Sequence, residues 1–289
     1  MINFKFVKSQ LKSIKTPLII FSILLFTFLI PAFFYSYLAP YSMIEKTGGS
    51  SSTGSKGGAA QVLEYFYFGV PGSVLYIALS IILIHRLFSR EVEKGYFGSW
   101  LTTPMSRRTI LNSKLFTILS SIFVIQIAFI IIQFLFLGIL TKDLMSDHIG
   151  SLLLFNFAFM ILILFWISIN WVIIIYFNKS TTGISIAVAI LGFFSICSGI
   201  ALLSVLPGFE QLKYLKYFSI QSLLNSPFHF DKPPRDVELP PEFIGVVTGK
   251  ILSGPKAIDY AWQIPVMLVT TIGFYVLGEW IICRKDFFL

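Results

Sequence analysis

The chain has little charge, few cysteines and few histidines. Of its 289 residues, 12% are charged and 56% are hydrophobic, whereas about 25% of the residues in a soluble domain are charged. This composition excludes a soluble enzyme built around one core, and the high hydrophobicity also excludes a disordered chain. Two cysteines cannot form a disulfide framework. Three histidines scattered along the chain do not have the spacing of a metal site.

Motifs for catalysis and nucleotide binding are lacking as well. The chain contains neither the H-E-x-x-H pattern of zinc hydrolases nor a G-x-S-x-G nucleophile elbow. Residues 49–54 open like a phosphate-binding loop, but Ser55 and Lys56 stand where that motif requires Lys followed by Ser or Thr. We therefore expect no catalytic residue, no metal ligand, no cofactor and no enzyme activity on this chain.

Charged residues are also scarce inside the apolar segments. Glu279 is the only acid within one, and it lies near Arg284 and Lys285. A local ion pair explains it better than a proton relay. An ion-coupled transporter would need charges in mid-span, and a membrane enzyme would need acids or histidines clustered at one interface. The energy for any transport is therefore expected to come from a partner.

What the chain does contain is a series of six apolar stretches, each long enough for the roughly 20 residues of a membrane span. The predicted spans are about 17–39, 69–88, 115–140, 150–177, 181–206 and 261–283. Lys and Arg concentrate on the side of the N-terminus, so the positive-inside rule places both termini in the cytoplasm. The predicted fold class is an all-α polytopic membrane protein of the cell membrane. The net charge of +8 then indicates contact with anionic lipid and not with nucleic acid.

Residues 2–15 are predicted to form a separate amphipathic helix at the cytoplasmic membrane interface. Apolar residues and lysines recur there at helical spacing, namely Phe4, Val7, Leu11, Ile14, Lys5, Lys8, Lys12 and Lys15. A basic flank that only orients the first span is the alternative. The long loop 207–260 is expected on the outer face, with short surface helices and no second domain. Residues 1–289 are thus expected to form a single transmembrane domain.

Uncharged polar side chains lie within the predicted spans. Gln126 and Gln133 are seven residues apart, and Asn156 and Asn170 are fourteen apart, so each pair shares one face of its helix. Such groups either join helices through hydrogen bonds or line a path for a substrate. Joining helices is the more common role, and both roles stay open at this point.

The segment between the second and third spans, residues 89–114, is charged and longer than a minimal connector. It combines acids, aromatic residues and a basic pair, and Ser106 suits the N-cap of a following helix. This mixture is typical of a protein docking site, although the aromatic residues could equally anchor the loop at the membrane interface. The residues of interest are Glu91, Glu93, Gly95, Tyr96, Phe97, Trp100, Leu101, Pro104, Ser106, Arg107 and Arg108.

The same segment resembles the cytoplasmic loop of type-2 ATP-binding-cassette (ABC) exporter permeases. That family pattern is roughly E-x-G-T-x-E-x-L-L-x-x-P-x-S-R, followed by a Lys at the start of the third span. Seven positions match it: Glu93, Gly95, Leu101, Pro104, Ser106, Arg107 and Lys114. Tyr96 stands in place of the usual Thr and Gly98 in place of the usual Glu. The ending RKDFFL, residues 284–289, is similar to the family's basic tail.

The resemblance implies the membrane subunit of an ABC exporter. Such permeases form a homodimer or pair with a sister permease, and each docks on a separate cytosolic ATPase subunit that binds ATP and Mg²⁺. Residues 91–108 would be the main coupling element, with the short loop 178–180 as a lesser contact. Glu91 and Glu93 would pair with basic groups of the ATPase or with Arg107 and Arg108. The alternative is a complex of the same build that drives assembly, maturation or motility at the outer face.

Overall fold

The computed structural model of the chain describes residues 3–44, 63–95, 106–140, 142–177, 180–202, 210–224, 229–230, 252–253 and 257–284. Nearly all of these residues are helical. The α-helices are α1 (Phe4–Ile44), α2 (Val70–Ile84), α3 (Arg90–Glu93), α4 (Arg107–Leu140), α5 (Lys142–Tyr176), α6 (Ser180–Leu202) and α7 (Gln263–Arg284). Two π-helical turns, Glu64–Phe68 and His85–Ser89, flank α2.

Six helical segments of the described residues are long and apolar enough to cross a bilayer. They are Phe4–Pro31, Phe66–Glu93, Arg107–Phe136, Leu152–Tyr176, Thr181–Ala201 and Gln263–Arg284. The predicted all-α fold with six spans is therefore confirmed. The second and third segments extend further toward residues 89–114 than predicted, because the helices continue through polar residues after the apolar run ends.

The N-terminal amphipathic helix is present as the first turns of α1 and not as a separate element. The helix runs without a break from Phe4 to Ile44, so Pro17 lies inside it. No glycine or turn sequence separates residues 4–15 from the span. Continuing the helix satisfies backbone groups that a break would expose, and a proline removes only one backbone donor.

The bundle has an inner and an outer set of helices. The second and fourth spans are 61% and 67% buried, whereas the first, fifth and sixth are 22%, 17% and 17% buried. Helix α5 is central and packs against α2, α4, α6 and α7. Gly278 permits the close approach of α7, since a Cβ there would lie 2.9 Å from Cδ1 of Trp171.

Residues after α6 form short elements. They are three 3-10 helices, Glu210–Phe218, Ile220–Leu223 and Ala257–Tyr260, and a two-residue antiparallel pair of His229–Phe230 with Leu252–Ser253. The predicted surface helices of loop 207–260 are thus present in part, and the rest of this loop lies outside the described residues.

Candidate functional site

The loop-side end of the second span is a defined helix terminus. Helix α3 ends at Glu93, and Gly95 follows with a φ of 73°. The Gly95 N–H donates to the Val92 carbonyl at 3.1 Å, and the Lys94 N–H donates to the Arg90 carbonyl at 3.1 Å. A left-handed residue here closes the helix, and glycine adopts this conformation without steric cost.

The other end of the loop is capped as predicted. Ser106 precedes α4, and its Oγ accepts a hydrogen bond from the Thr109 backbone N–H at 3.2 Å. Both boundaries of the loop are therefore set by local chemistry. Five of the residues assigned to docking, Tyr96, Phe97, Trp100, Leu101 and Pro104, lie outside the described residues, and their role stays a prediction.

Lys114, on the second turn of α4, joins three parts of the chain although its side chain is fully buried. Its Nζ donates to a carboxylate oxygen of Glu91 and to the carbonyl of Leu87. The side chain of Glu91 is 17% exposed. The Nζ also lies 5.9 Å from the ring centroid of Phe6 on α1. A buried ammonium requires such partners, because removing it from water is costly.

The start of the chain is attached at the same place. The Asn3 backbone N–H donates to Oγ of Ser113 at 3.0 Å. The rings of Phe4 and Phe116 meet edge to face with centroids 6.1 Å apart. Helix α1 therefore begins against the turn of α4 that carries Lys114. Local sequence patterns could not reveal this contact, since the residues are more than a hundred positions apart.

A second ion pair connects the first turn of α4 to the end of α7. Arg108 Nε lies 3.2 Å from Oε1 of Glu279, with side chains 71% and 23% exposed. The Tyr275 hydroxyl donates to Oδ1 of Asn112 at 2.8 Å, one turn further along. We name Glu91, Lys114, Arg108 and Glu279 together the loop base.

Two of the pairings inferred from sequence, those of Arg108 and Glu279, differ from the ones in the structure. Arg108 pairs with Glu279 and not with Glu91 or Glu93, because α7 packs beside the start of α4. Glu279 was expected to pair with Arg284 or Lys285, but the Arg284 guanidinium lies over the Trp280 ring at 4.2 Å. Spacing along one helix could not show which neighbouring helix supplies the partner.

Deeper in the bundle, uncharged polar groups meet between three spans. The hydroxyls of Tyr67 and Tyr76 are 2.8 Å apart, and they lie 3.1 and 2.7 Å from Oε1 of Gln126. Two phenol protons serve these three oxygen contacts, so only two of the contacts are hydrogen bonds at any moment. Gln126 Nε2 in turn donates to Oδ1 of Asn156 on α5 at 3.1 Å.

Asn156 extends this cluster to a further amide, Gln133. Its Nδ2 donates to Oε1 of Gln133 at 3.2 Å and to the Leu152 carbonyl at 3.0 Å. Gln133 Nε2 is buried without a hydrogen-bond partner. We name Tyr67, Tyr76, Gln126, Gln133 and Asn156 the amide–tyrosine cluster. It connects α4 and α5 to the start of the second span.

Asn170 lies apart from this cluster. Its Nδ2 donates to Oγ of Ser80 on α2 at 3.0 Å, and its Oδ1 has no hydrogen-bond partner. The four amides selected from sequence are all buried and all bond to another helix. A role for them in a substrate path stays a prediction.

Comparison with known proteins identifies the family of this six-span bundle. The family model described as ABC-2 family transporter protein matches residues 10–287. The chain belongs to the ABC-2 transporter family. It is therefore the permease component of an ABC-type transporter and a multi-pass membrane protein. No curated protein and no solved structure matches the chain.

The structure of this ABC-2 permease also shows residues that sequence reasoning missed. Tyr67 and Tyr76 complete the amide–tyrosine cluster, and Ser80 is the partner of Asn170. A polar atom on a side chain inside an apolar run is the only local signal for such residues, because a buried hydroxyl needs a partner. Among the described residues, no group of three or more His, Cys, Asp or Glu side chains could hold a metal ion.

Proposed function

We propose that this ABC-2 permease exports a substrate across the cell membrane with energy from ATP hydrolysed on a separate cytosolic ATPase subunit. The ATPase docks on residues 91–108 and carries ATP and Mg²⁺. The permease works as a dimer, with a second copy or a sister permease. Family membership supports the permease role, and the geometry of the loop base supports the site of coupling.

The observation that carries the proposal is that both ends of the loop are tied to spans. Glu91, just before residues 96–105, is paired with Lys114 of α4. Arg108, just after it, is paired with Glu279 of α7. A displacement applied to residues 96–105 would therefore reach the second, third and sixth spans together.

The ends of the loop also limit how much of that displacement is lost. Gly95 ends one helix and Ser106 caps the next, so residues 96–105 lie between two defined helix ends. Force on the loop then acts on helices that are already ordered. A partner that interacts differently with two positions of the loop can shift the equilibrium between two arrangements of the bundle.

Site-specific crosslinking tests where the ATPase docks. A photoreactive amino acid placed at Phe97 or Trp100 is expected to capture the ATPase subunit when both proteins are expressed together. The matched control is the same group at Ile139, which is 73% exposed near the far end of α4. At 1.5 Å per residue this position lies about 50 Å from Arg107, so no ATPase should be captured there.

The outcomes separate docking from export. Equal capture from Ile139, or no capture of an ATP-hydrolysing partner from any loop position, would overturn the proposed docking site. Export is then tested by comparing the lipids and peptides outside cells that carry either the active complex or one with a hydrolysis-deficient ATPase. Capture with no difference in exported material would favour the complex that does mechanical work at the outer face.

A further inference from the structure

The first turns of α1 carry four lysines on one side of the helix. Lys5, Lys8, Lys12 and Lys15 are all exposed, and at 3.6 residues per turn they fall within an arc of about 80°. We name them the lysine stripe. The opposite side of the same turns packs on the protein, where Phe6 and Ile14 are 6% and 0% exposed.

The side of α1 that carries the lysine stripe continues as an exposed apolar surface of the kind that faces lipid. Along the same side of α1 the next exposed residues are apolar, with Ile19 at 49%, Ile23 at 61% and Phe26 at 38% exposure. The change from lysine to isoleucine falls between Lys15 and Ile19. Because the helix is continuous there, that change marks the depth at which the apolar core of the bilayer ends.

The end of the lysine stripe nearest the span is placed at the level of lipid headgroups. At 1.5 Å per residue the stripe is about 15 Å long, and the headgroup region on each side of the apolar core is roughly 5–8 Å thick. With the boundary between Lys15 and Ile19, Lys15 and Lys12 therefore lie within that region, whereas Lys8 and Lys5 lie on its aqueous side, roughly 13 and 18 Å along the helix from the apolar core.

The positive charge of the stripe is not balanced by this chain's described carboxylates. No Asp or Glu occurs before Glu45 in the sequence. The carboxylates of Glu91 and Glu279 are engaged in the loop base, with Lys114 and Arg108. The stripe therefore presents four exposed ammonium groups on the outside of the bundle.

From this placement we propose that the lysine stripe is a binding surface for the phosphate headgroups of anionic lipids. A basic flank that serves only to orient the span would show no preference among lipids once the protein is inserted. An acidic protein partner would bind away from the apolar continuation at Ile19 and Ile23. The uninterrupted passage from lysine to lipid-facing residues on one helix side favours the lipid.

Quenching of a reporter tryptophan by brominated lipid measures this preference. The substitution Ile19→Trp, in the purified permease reconstituted in nanodiscs, places the reporter one turn from Lys15. Brominated phosphatidylglycerol is compared with brominated phosphatidylcholine, and the signal of the unsubstituted protein is subtracted. If the attraction of only one lysine for an anionic headgroup contributes, the anionic lipid should associate about fivefold more tightly than phosphatidylcholine.

Two controls define the site. A reporter from Val269→Trp on α7, where the side chain is 70% exposed, should show equal quenching by both lipids. Replacement of all four lysines by arginine should keep the preference, because the charge is kept.

The glutamine variants test which lysines matter. The pair Lys12→Gln and Lys15→Gln should remove most of the preference, and the pair Lys5→Gln and Lys8→Gln should remove less.

The proposal fails if both lipids quench the reporter at position 19 equally. It also fails if the preference persists after all four lysines are changed to glutamine. Should the glutamine variants not insert, a salt titration of the reporter protein replaces them. The preference must then fall as ionic strength rises from about 0.1 M to 1 M, where screening shortens from about 10 Å to 3 Å.

Discussion

The spans of this permease are joined at two places by different chemistry. In the amide–tyrosine cluster, uncharged groups of Tyr76, Gln126 and Asn156 bond deep in the bundle. At the loop base, charged groups form ion pairs at helix ends. The cost of removing an ion from water rises steeply with depth in an apolar medium, whereas a neutral amide needs only one or two hydrogen bonds.

The difference indicates that the two places serve different purposes. The amide–tyrosine cluster holds α4 and α5 against the second span, and none of its residues belongs to the loop. The loop base connects the second span, α4 and α7 to the segment that we expect to move. Substitutions that separate the two places should therefore change stability in one case and coupling in the other, and the following tests are ordered from the largest expected effect to the smallest.

Removing the carboxylate of Glu91 should have the largest effect. Glu91→Ala leaves the fully buried Lys114 ammonium without its counter-charge, which costs about 3–5 kcal/mol of unfolding free energy. The measurement is SDS-induced unfolding in mixed micelles. The double variant Glu91→Ala with Lys114→Met should recover part of the loss, because no buried charge then remains. A double variant less stable than Glu91→Ala alone would contradict the assigned pair.

Next comes a glycine beside the neutral cluster. A Cβ on Gly72 would lie 1.8 Å from the Tyr67 carbonyl oxygen, so Gly72→Ala must shift backbone and should cost about 3 kcal/mol. The matched change is Gly95→Ala, two residues after Glu93 at the end of α3, where space is open but φ is 73°. Only the left-handed backbone opposes it, at about 1 kcal/mol. Equal losses in thermal unfolding of the two variants would disprove this distinction.

The third test compares two glutamines of one helix. Gln126→Leu removes the acceptor of Tyr67 and Tyr76 and the donor to Asn156, and should cost about 2 kcal/mol. Gln133→Leu removes one acceptor at 3.2 Å and a donor without a partner, so its cost should be well under half of that. A larger loss for Gln133→Leu in the same unfolding assay would show that Gln126 is not the more stabilising of the two glutamines.

The smallest effect on stability is expected at the exposed ion pair. Arg108 is largely in contact with solvent, so Arg108→Gln and Glu279→Gln should leave the unfolding transition unchanged within error. If the pair carries force from the loop to α7, both variants should still capture the ATPase but lose substrate-stimulated hydrolysis. Arg284→Gln, which removes a neighbouring cation outside the pair, is the control. A loss of stability with unchanged hydrolysis would remove this pair from the coupling path.

Much of the fold follows from short-range patterns. The six apolar runs predict the spans because a helix is the only way to satisfy backbone groups in lipid over that length. Ser106 was found as a helix cap because capping acts over three residues. Helix ends were less well predicted, since α1 continues through Pro17 and the second span continues to Glu93.

For the candidate site, too, the sequence indicated individual residues but not their partners in space. Glu91, Arg108 and Gln126 were selected as residue types at suggestive positions, but their partners were not. Lys114, Glu279 and Tyr76 lie 23, 171 and 50 positions away from them in the sequence. Which of several helices lies beside a given residue depends on packing of the whole bundle, and no periodicity within one helix records it.

The sequence by itself determined that the chain is a six-span membrane protein with a charged, aromatic loop after the second span. Composition and apolar run length decide this, because the bilayer imposes the same length and polarity on every span. Only the tertiary structure decided that Lys114 is buried against Glu91 and Phe6, and that Lys5, Lys8, Lys12 and Lys15 face outward. The same ammonium group is a structural partner in one place and a free surface charge in another, because the free energy of a charge depends on what surrounds it.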